Sequence, residues 1–194
     1  MGRPAVFLDR DGVLIRDVDF LTRREQVEVA AGAPAALQRL RRAGFALVVV
    51  TNQPVVARGL LTEDEVRALQ VFIEKRLRES GGGDLDGFYF CPHHPSADLV
   101  SYRAACECRK PRPGMLRRAG RELEIDVSKS FMIGDRPSDV EAGRRAGCRT
   151  VLVQTGRHAA APIQSPDGPF DPVPDHVCAD LATAVDWVLE DQGR

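Results

Sequence analysis

Apolar residues in this chain come in short runs with two alternating kinds of spacing. Ala5-Val6-Phe7-Leu8, Phe45-Ala46-Leu47-Val48-Val49-Val50, Phe88-Tyr89-Phe90, Ser130-Phe131-Met132-Ile133, Thr150-Val151-Leu152-Val153 and Val177-Cys178 are brief and largely unbroken. That is the pattern of strands buried on both faces of a parallel sheet. Between them, apolar positions recur at helical spacing. Residues 34–43 put Ala36, Leu37 and Leu40 on one face, with Pro34 in the first turn and Gly44 as a stop. Thr62-Glu63-Asp64-Glu65 is a capping box. It predicts a helix to about residue 79 that turns Val66, Leu69, Phe72, Ile73 and Leu77 inward and ends at Gly81-Gly82-Gly83. Further helices are predicted over 113–123, with Met115, Leu116 and Ala119 inward, over 138–146, closed by Gly147, and over 181–189, capped by Asp180.

Strands and helices alternate from end to end, which predicts a doubly wound parallel α/β sheet in a single domain spanning 1–194. Three stretches fall outside the pattern. Residues 15–31 are charged and without period, too short for a cap domain, and predict a turn or small flap. Residues 91–111 form a long irregular stretch with three cysteines and two histidines, and a loop of that length needs a reason. Residues 154–175, rich in Pro, Gly and Ala, predict a mobile loop.

Composition narrows the function classes. Hydrophobic content of 43%, charged content of 28% and a net charge of −1 fit a soluble protein and give no reason to expect nucleic acid or a membrane as partner. No segment approaches transmembrane length and no signal peptide is evident. Five cysteines, an odd count, argue against a disulfide framework and for a cytoplasmic location. Only Lys75, Lys110 and Lys129 are lysines, which singles out Lys110 beside Pro111.

The chemistry lies at strand ends. The first run stops in Asp9-Arg10-Asp11-Gly12, two carboxylates at i and i+2 on one side of an extended backbone. Arg10, between them, is expected to point away. The second run stops in Thr51-Asn52, and the fourth in Gly134-Asp135-Arg136-Pro137-Ser138-Asp139. In a parallel sheet these ends share one edge, where α/β folds bind ligands. Four acids, a hydroxyl, an amide and Lys110 would meet there. Such a cluster calls for a hard divalent cation, Mg²⁺ by preference. Metal, lysine and hydroxyl together suit a phosphoryl group.

These four motifs in this order resemble the haloacid dehalogenase (HAD) superfamily of aspartate-nucleophile phosphatases, over 6 to about 156. The segments around Thr51-Asn52-Gln53, Cys91-Pro92-His93-His94-Pro95 and Cys106-Glu107-Cys108-Arg109-Lys110-Pro111 are similar to its histidinol-phosphatase-like subfamily. The resemblance implies a Rossmann-like sheet with no large cap. It makes Asp9 the nucleophile and Asp11 the acid–base residue, with Asp9, Asp11 and Asp135 around Mg²⁺. Thr51, Asn52 and Lys110 would hold the phosphoryl group, and Asp139 would orient Lys110 or a metal water. Arg136 stands where lysine is common, in a supporting cationic role. Cys91, Cys106 and Cys108 with a histidine make a tetrahedral zinc set. His94 competes with His93 for the fourth place, and the resemblance selects His93. Structural Zn²⁺ would then pin the loop 91–110. Arg109 and, second to it, Arg58 are candidates for a distal phosphate, since guanidinium grips phosphate with two parallel bonds.

The substrate so implied is a small phosphorylated sugar, a heptose 1,7-bisphosphate cleaved at C7, handled by a monomer. Histidinol phosphate is the alternative, and a non-catalytic phosphate-binding module the rival from another class. Pro54-Val55 departs from the Ser-Gly common in the family, removing a hydroxyl and an N–H next to the site.

Overall fold

The computed structural model describes residues 2–156, 164–165, 168–169 and 172–192. Six strands, β1 (Ala5–Leu8), β2 (Ala46–Asn52), β3 (Gly87–Cys91), β4 (Phe131–Gly134), β5 (Arg149–Val153) and β8 (His176–Cys178), form one sheet in the order β3-β2-β1-β4-β5-β8. Every pairing in it is parallel. A two-stranded antiparallel ribbon, β6 (Gln164–Ser165) with β7 (Gly168–Pro169), stands apart. The helices are α1 (Ala33–Arg42), α2 (Glu63–Glu79), α3 (Gly114–Glu122), α4 (Pro137–Ala146) and α5 (Leu181–Gln192).

Alternation along β1 builds a core on each face of the sheet. Val6 and Leu8 join Leu37 and Leu40 of α1, Ile73 and Leu77 of α2, and Val185 and Val188 of α5. Ala5 and Phe7 join Met115, Leu116 and Ala119 of α3 and Ala142 of α4. The chain winds from β1 out to β3, then returns to β4 on the other side of β1. The strand order therefore reverses between β1 and β4, at the carboxyl ends that carry Asp9 and Asp135. A crevice at such a switch point is where open α/β sheets bind ligands.

The predicted strands are all present, within a residue or two. The capping box at Thr62 and Glu65 is formed in both directions, and Asp180 caps α5 through the Thr183 N–H. On α2 the inward face includes Gln70, not Phe72. Phe72 is half-buried, under the Arg24 guanidinium, 5.5 Å from its ring centroid. Residues 15–31 are more ordered than their composition suggests. Ile15 bridges to Val29, a short 3-10 turn forms at Arg24–Gln26, and Leu14, Ile15 and Leu21 are buried. Residues 157–163 of the predicted mobile loop, His158 among them, lie outside the described residues. Among the described residues, no helix is long and apolar enough to cross a membrane.

At the amino end of β2, Asp86 accepts the Leu47 N–H at 2.8 Å and pairs with Arg3 at 2.8 Å and Arg41 at 3.2 Å. Burial alone would raise its pKa; the Leu47 N–H and the arginines outweigh burial and hold it below the usual aspartate value. A lowered folded-state pKa stabilises the fold above the unfolded value of about 3.9, and that contribution is lost as pH falls through the folded value. Asp86→Asn is expected to cost about 1–2 kcal/mol at pH 7. Denaturant unfolding at pH 7 and pH 3 should show the gap to wild type shrinking in acid; an equal gap at both would exclude the charge as its cause.

Candidate active site

Asp9 follows the last residue of β1, and its backbone N–H donates to the Ile133 carbonyl of β4. The position of Asp9 is thus set by the sheet itself. Lys110 reaches it from the long loop. Its ammonium lies 2.9 Å from Asp9 Oδ1 and 2.6 Å from Asp139 Oδ1, and donates to the Val50 carbonyl at 2.8 Å. Lys110 is 3% exposed and Asp139 1%. Burial pulls the lysine pKa down, but the charges of Asp139 and Asp9 outweigh it and leave it above the usual value. Burial also raises Asp139, with Lys110 opposing and Asp9 adding to the rise.

Asn52, the last residue of β2, holds the lysine's main chain. Its amide donates to the Lys110 carbonyl and accepts the Lys110 N–H, each at 3.0 Å. The side chain copies a strand partner, so the loop docks on the sheet as if paired with it. Asn52 was expected to reach the phosphoryl oxygens. Its side-chain amide is instead committed to Lys110.

Asp11 turns from the acid cluster into a second network. Its carboxylate accepts from Arg10 Nε at 3.1 Å and from Gln53 Nε2 at 2.8 Å. Arg10 Nη2 donates to Gln53 Oε1 at 2.8 Å, and Gln53 Nε2 also donates to Thr51 Oγ1 at 2.9 Å. Arg10 is therefore a correction: at 1% exposed it is drawn inward by Asp11 and Gln53, not turned away. The sequence reading passed over Gln53, although its i+2 spacing from Thr51 puts both on one side of the strand end.

Asp135 is fully buried. A Cβ on Gly12 would stand 2.7 Å from its Oδ2, and one on Gly156 2.0 Å, so both glycines are needed for the chain to wrap this acid. Arg136 Nε lies 3.8 Å from Asp135, and Arg136 Nη2 lies 3.0 Å from Asp17, which joins the 15–31 flap to the start of α4. Burial opposes the charge on Arg136, and the surrounding acids, Asp135 first, more than offset it, raising its pKa.

These residues line a cavity of about 580 Å³, with Asp9, Asp11, Thr51, Asn52, Lys110 and Arg136 in its walls. Asp17, Asp19, Phe20 and Leu21 of the flap complete it on one side and His94, Ser96 and Arg109 on another. Arg58 is absent from the lining. Its guanidinium is held 3.4 Å from Asp98 and 3.3 Å from the Ser96 carbonyl, a correction to its expected place in the distal subsite.

Cys91, His93, Cys106 and Cys108 converge as expected. The three sulfurs are 3.1–3.5 Å apart, and His93 Nδ1 is 3.5 Å from Cys108 and 3.8 Å from Cys91. His94 points elsewhere, onto Ser96. Crowding drives the thiols apart in acidity. Hydrogen bonds from Cys108 and Cys91 hold Cys106 down at about 2, while the bond to Cys106 pushes Cys108 up to about 11 and Cys91 higher still. Three sulfurs this close repel one another as thiolates; a tetrahedral dication would offset that repulsion, and the donor set fits zinc.

The likeness to known proteins follows the same lines. A family model described as HAD-hyrolase-like matches residues 107–184. The D-glycero-beta-D-manno-heptose-1,7-bisphosphate 7-phosphatase of Yersinia pestis is 43% identical over 96% of this chain and 89% of its own length. The chain belongs to the HAD family of phosphatases. It is a phosphoric monoester hydrolase. The crystal structure of the D,D-heptose 1,7-bisphosphate phosphatase from B. bronchiseptica, complexed with magnesium and phosphate, superposes with a TM-score of 0.81 at 33% identity, covering 97% of this chain and 99% of that one. A HAD-like phosphatase structure from Mesorhizobium loti gives 0.79 at 30% identity, over 100% of this chain and 88% of that one.

In this HAD phosphatase, Asp9, Asp135 and Asp139 each bring one carboxylate oxygen within 4.8 Å of the others. Among the described residues, these three buried acids have the Lys110 ammonium close by and Arg136 at 3.8 Å from Asp135. That surplus of buried negative charge fits a hard divalent cation. Removing Lys110 while its two carboxylates stay buried should be severe. Lys110→Met is expected to cost about 3–5 kcal/mol of folding stability in chelator-treated buffer. Adding Asp139→Asn should recover part of it, with a coupling of about 1–3 kcal/mol in a double-mutant cycle. Strict additivity would show that the two side chains do not act as a pair.

Proposed function

We propose that this chain is a Mg²⁺-dependent phosphomonoesterase that removes the C7 phosphate of D-glycero-D-manno-heptose 1,7-bisphosphate through an aspartyl-phosphate intermediate. The observation that carries the reading is the buried Asp9–Lys110–Asp139 set at the sheet's switch point, opening onto a cavity with Arg109 in its wall. Magnesium and phosphate in the B. bronchiseptica relative, and the activity named for the Yersinia pestis relative, support it.

In this reading, Asp9 Oδ attacks phosphorus, and the bond to the leaving C7 oxygen breaks. Asp11 gives that oxygen a proton, then takes one from the water that cleaves the aspartyl phosphate. To do so its carboxylate leaves the Arg10–Gln53 cradle for the cavity. Lys110 and the Thr51 hydroxyl meet the charge on the equatorial oxygens. Asp9 and Asp135 carboxylates and the Asp11 carbonyl would hold Mg²⁺, with Asp139 beside them. The metal supplies positive charge to the transferring phosphoryl group. Zinc on Cys91, His93, Cys106 and Cys108 would be structural, since protein fills all four positions.

Arg109 takes the distal phosphate in this reading. Its Nη1 donates to the His93 carbonyl at 2.9 Å. Burial, then the like charge of Arg136, pulls its pKa below the usual value against the nearby cysteines, so an anion beside it is favoured. Histidinol phosphate brings a cationic amine to that place, which is why the bisphosphate is the better fit.

Asp9→Asn should abolish multiple turnover with the fold intact, since an amide does not form the phosphoenzyme. EDTA should remove activity and Mg²⁺ alone restore it, with zinc still bound by elemental analysis, because thiolate ligands hold far tighter than carboxylates. The deciding experiment is kcat/KM on the heptose bisphosphate and on histidinol phosphate, for wild type and Arg109→Ala. Arg109→Ala should cut the preference for the bisphosphate by a factor worth about 2–3 kcal/mol. Better turnover of histidinol phosphate by wild type would sink the assignment.

A further inference from the structure

The cavity wall formed by residues 94–96 carries a donor that the reaction as described does not use. His94 lines the cavity together with Ser96 and Arg109. Its Nδ1 accepts the Ser96 backbone N–H at 3.1 Å, with Ser96 Oγ 3.0 Å from the same nitrogen. A ring nitrogen that accepts a backbone N–H carries no proton, so the proton of the neutral ring sits on Nε2. The backbone is fixed on both sides: the His94 N–H donates to the Tyr102 carbonyl at 3.1 Å, and the His94 carbonyl accepts the Ala97 N–H at 3.2 Å. Among the described residues no group takes the Nε2 proton. The result is an Nε2–H held in a fixed orientation on a residue that lines the cavity, one peptide unit from the carbonyl that holds Arg109.

We propose that His94 Nε2–H donates to the phosphate that is not cleaved, and so is a specificity-determining residue for substrates whose far end is an acceptor-only anion. The proposal rests on the bisphosphate reading above. A guanidinium and an imidazole N–H in one wall present donors only. A phosphate satisfies both, with one oxygen for the imidazole and others for Arg109. A far end carrying an amine would set donor against donor and leave both sides unpaired, the costliest kind of mismatch in a binding site. The competing account is that His94 serves only to turn the loop, by receiving Ser96. The two separate cleanly in His94→Asn. Asparagine Oδ1 can stand in for Nδ1 and accept the Ser96 N–H in the same local turn, but it has nothing in place of Nε2.

The test compares kcat/KM on heptose 1,7-bisphosphate and heptose 7-phosphate for wild type, His94→Asn and His94→Ala, each checked for zinc content and melting temperature. The expected result is a bisphosphate preference in wild type that falls roughly 10- to 100-fold in both variants, mostly through KM, as suits a lost hydrogen bond to a charged group. A wild type without that preference overturns the substrate reading and this proposal together. A wild type with it and a His94→Asn enzyme that keeps it overturns the His94 role alone. A second readout does not depend on turnover. In the Asp9→Asn protein, long-range ¹H–¹⁵N spectra should show His94 as the Nε2–H tautomer, and bisphosphate should move that proton signal where the 7-phosphate does not. An Nδ1–H tautomer, or equal shifts with both ligands, refutes the proposal.

Discussion

A single ammonium group organises the carboxyl edge of this sheet. The Lys110 ammonium donates to the Val50 carbonyl and forms ion pairs with Asp9 and Asp139. Those partners come from the end of β1, the start of α4 and the body of β2. Drying an ammonium costs several kcal/mol, and the cost is tolerated only where every donor is met and opposite charge is close. Here two carboxylates supply the opposite charge, and the lysine ties the long loop to three elements, two of them already paired in the sheet. Its two carboxylates are also the ones that crowd Asp135. The same contact that stabilises the edge therefore leaves a negative surplus.

Around that contact, polar side chains do what backbone pairing does elsewhere in the sheet. Asn52 extends β2 sideways by presenting an amide to Lys110 as a neighbouring strand would. Gln53 closes a ring with Arg10, Asp11 and Thr51, its amide bonded to all three. Both amides sit at the tip of β2, which is buried from Ala46 to Thr51. Precision at the site comes from the rigidity of β2 and is handed outward through two amides.

The doubly wound sheet was legible because fully buried strands leave unbroken apolar runs, and because Gly44, Gly147 and the Thr62 capping box mark helix ends by local chemistry. The four cysteine–histidine positions were legible from pair spacing with the family resemblance. What pattern reading missed was long-range. Arg10 looks like a surface residue until its two partners, Asp11 and Gln53, are brought over it. Sequence ranks Arg109 ahead of Arg58 but keeps both as candidates, and only the fold gives Asp98 to one and the cavity to the other. The ordered packing of residues 15–31 rests on the Ile15–Val29 bridge and burial beneath α1, which no local periodicity encodes.

The loop between β3 and α3 is fastened at two places by unrelated chemistry. The cysteine–histidine cluster secures its middle; Asn52 and the buried ammonium secure its end. Only the second fastening touches the reacting centre. The wall that carries His94, Ser96 and Arg109 hangs from the first. That wall is therefore carried by a different fastening from the one that holds Asp9 and Lys110 together. An architecture divided in this way separates the part of the loop that meets Asp9 from the part that lines the far side of the cavity.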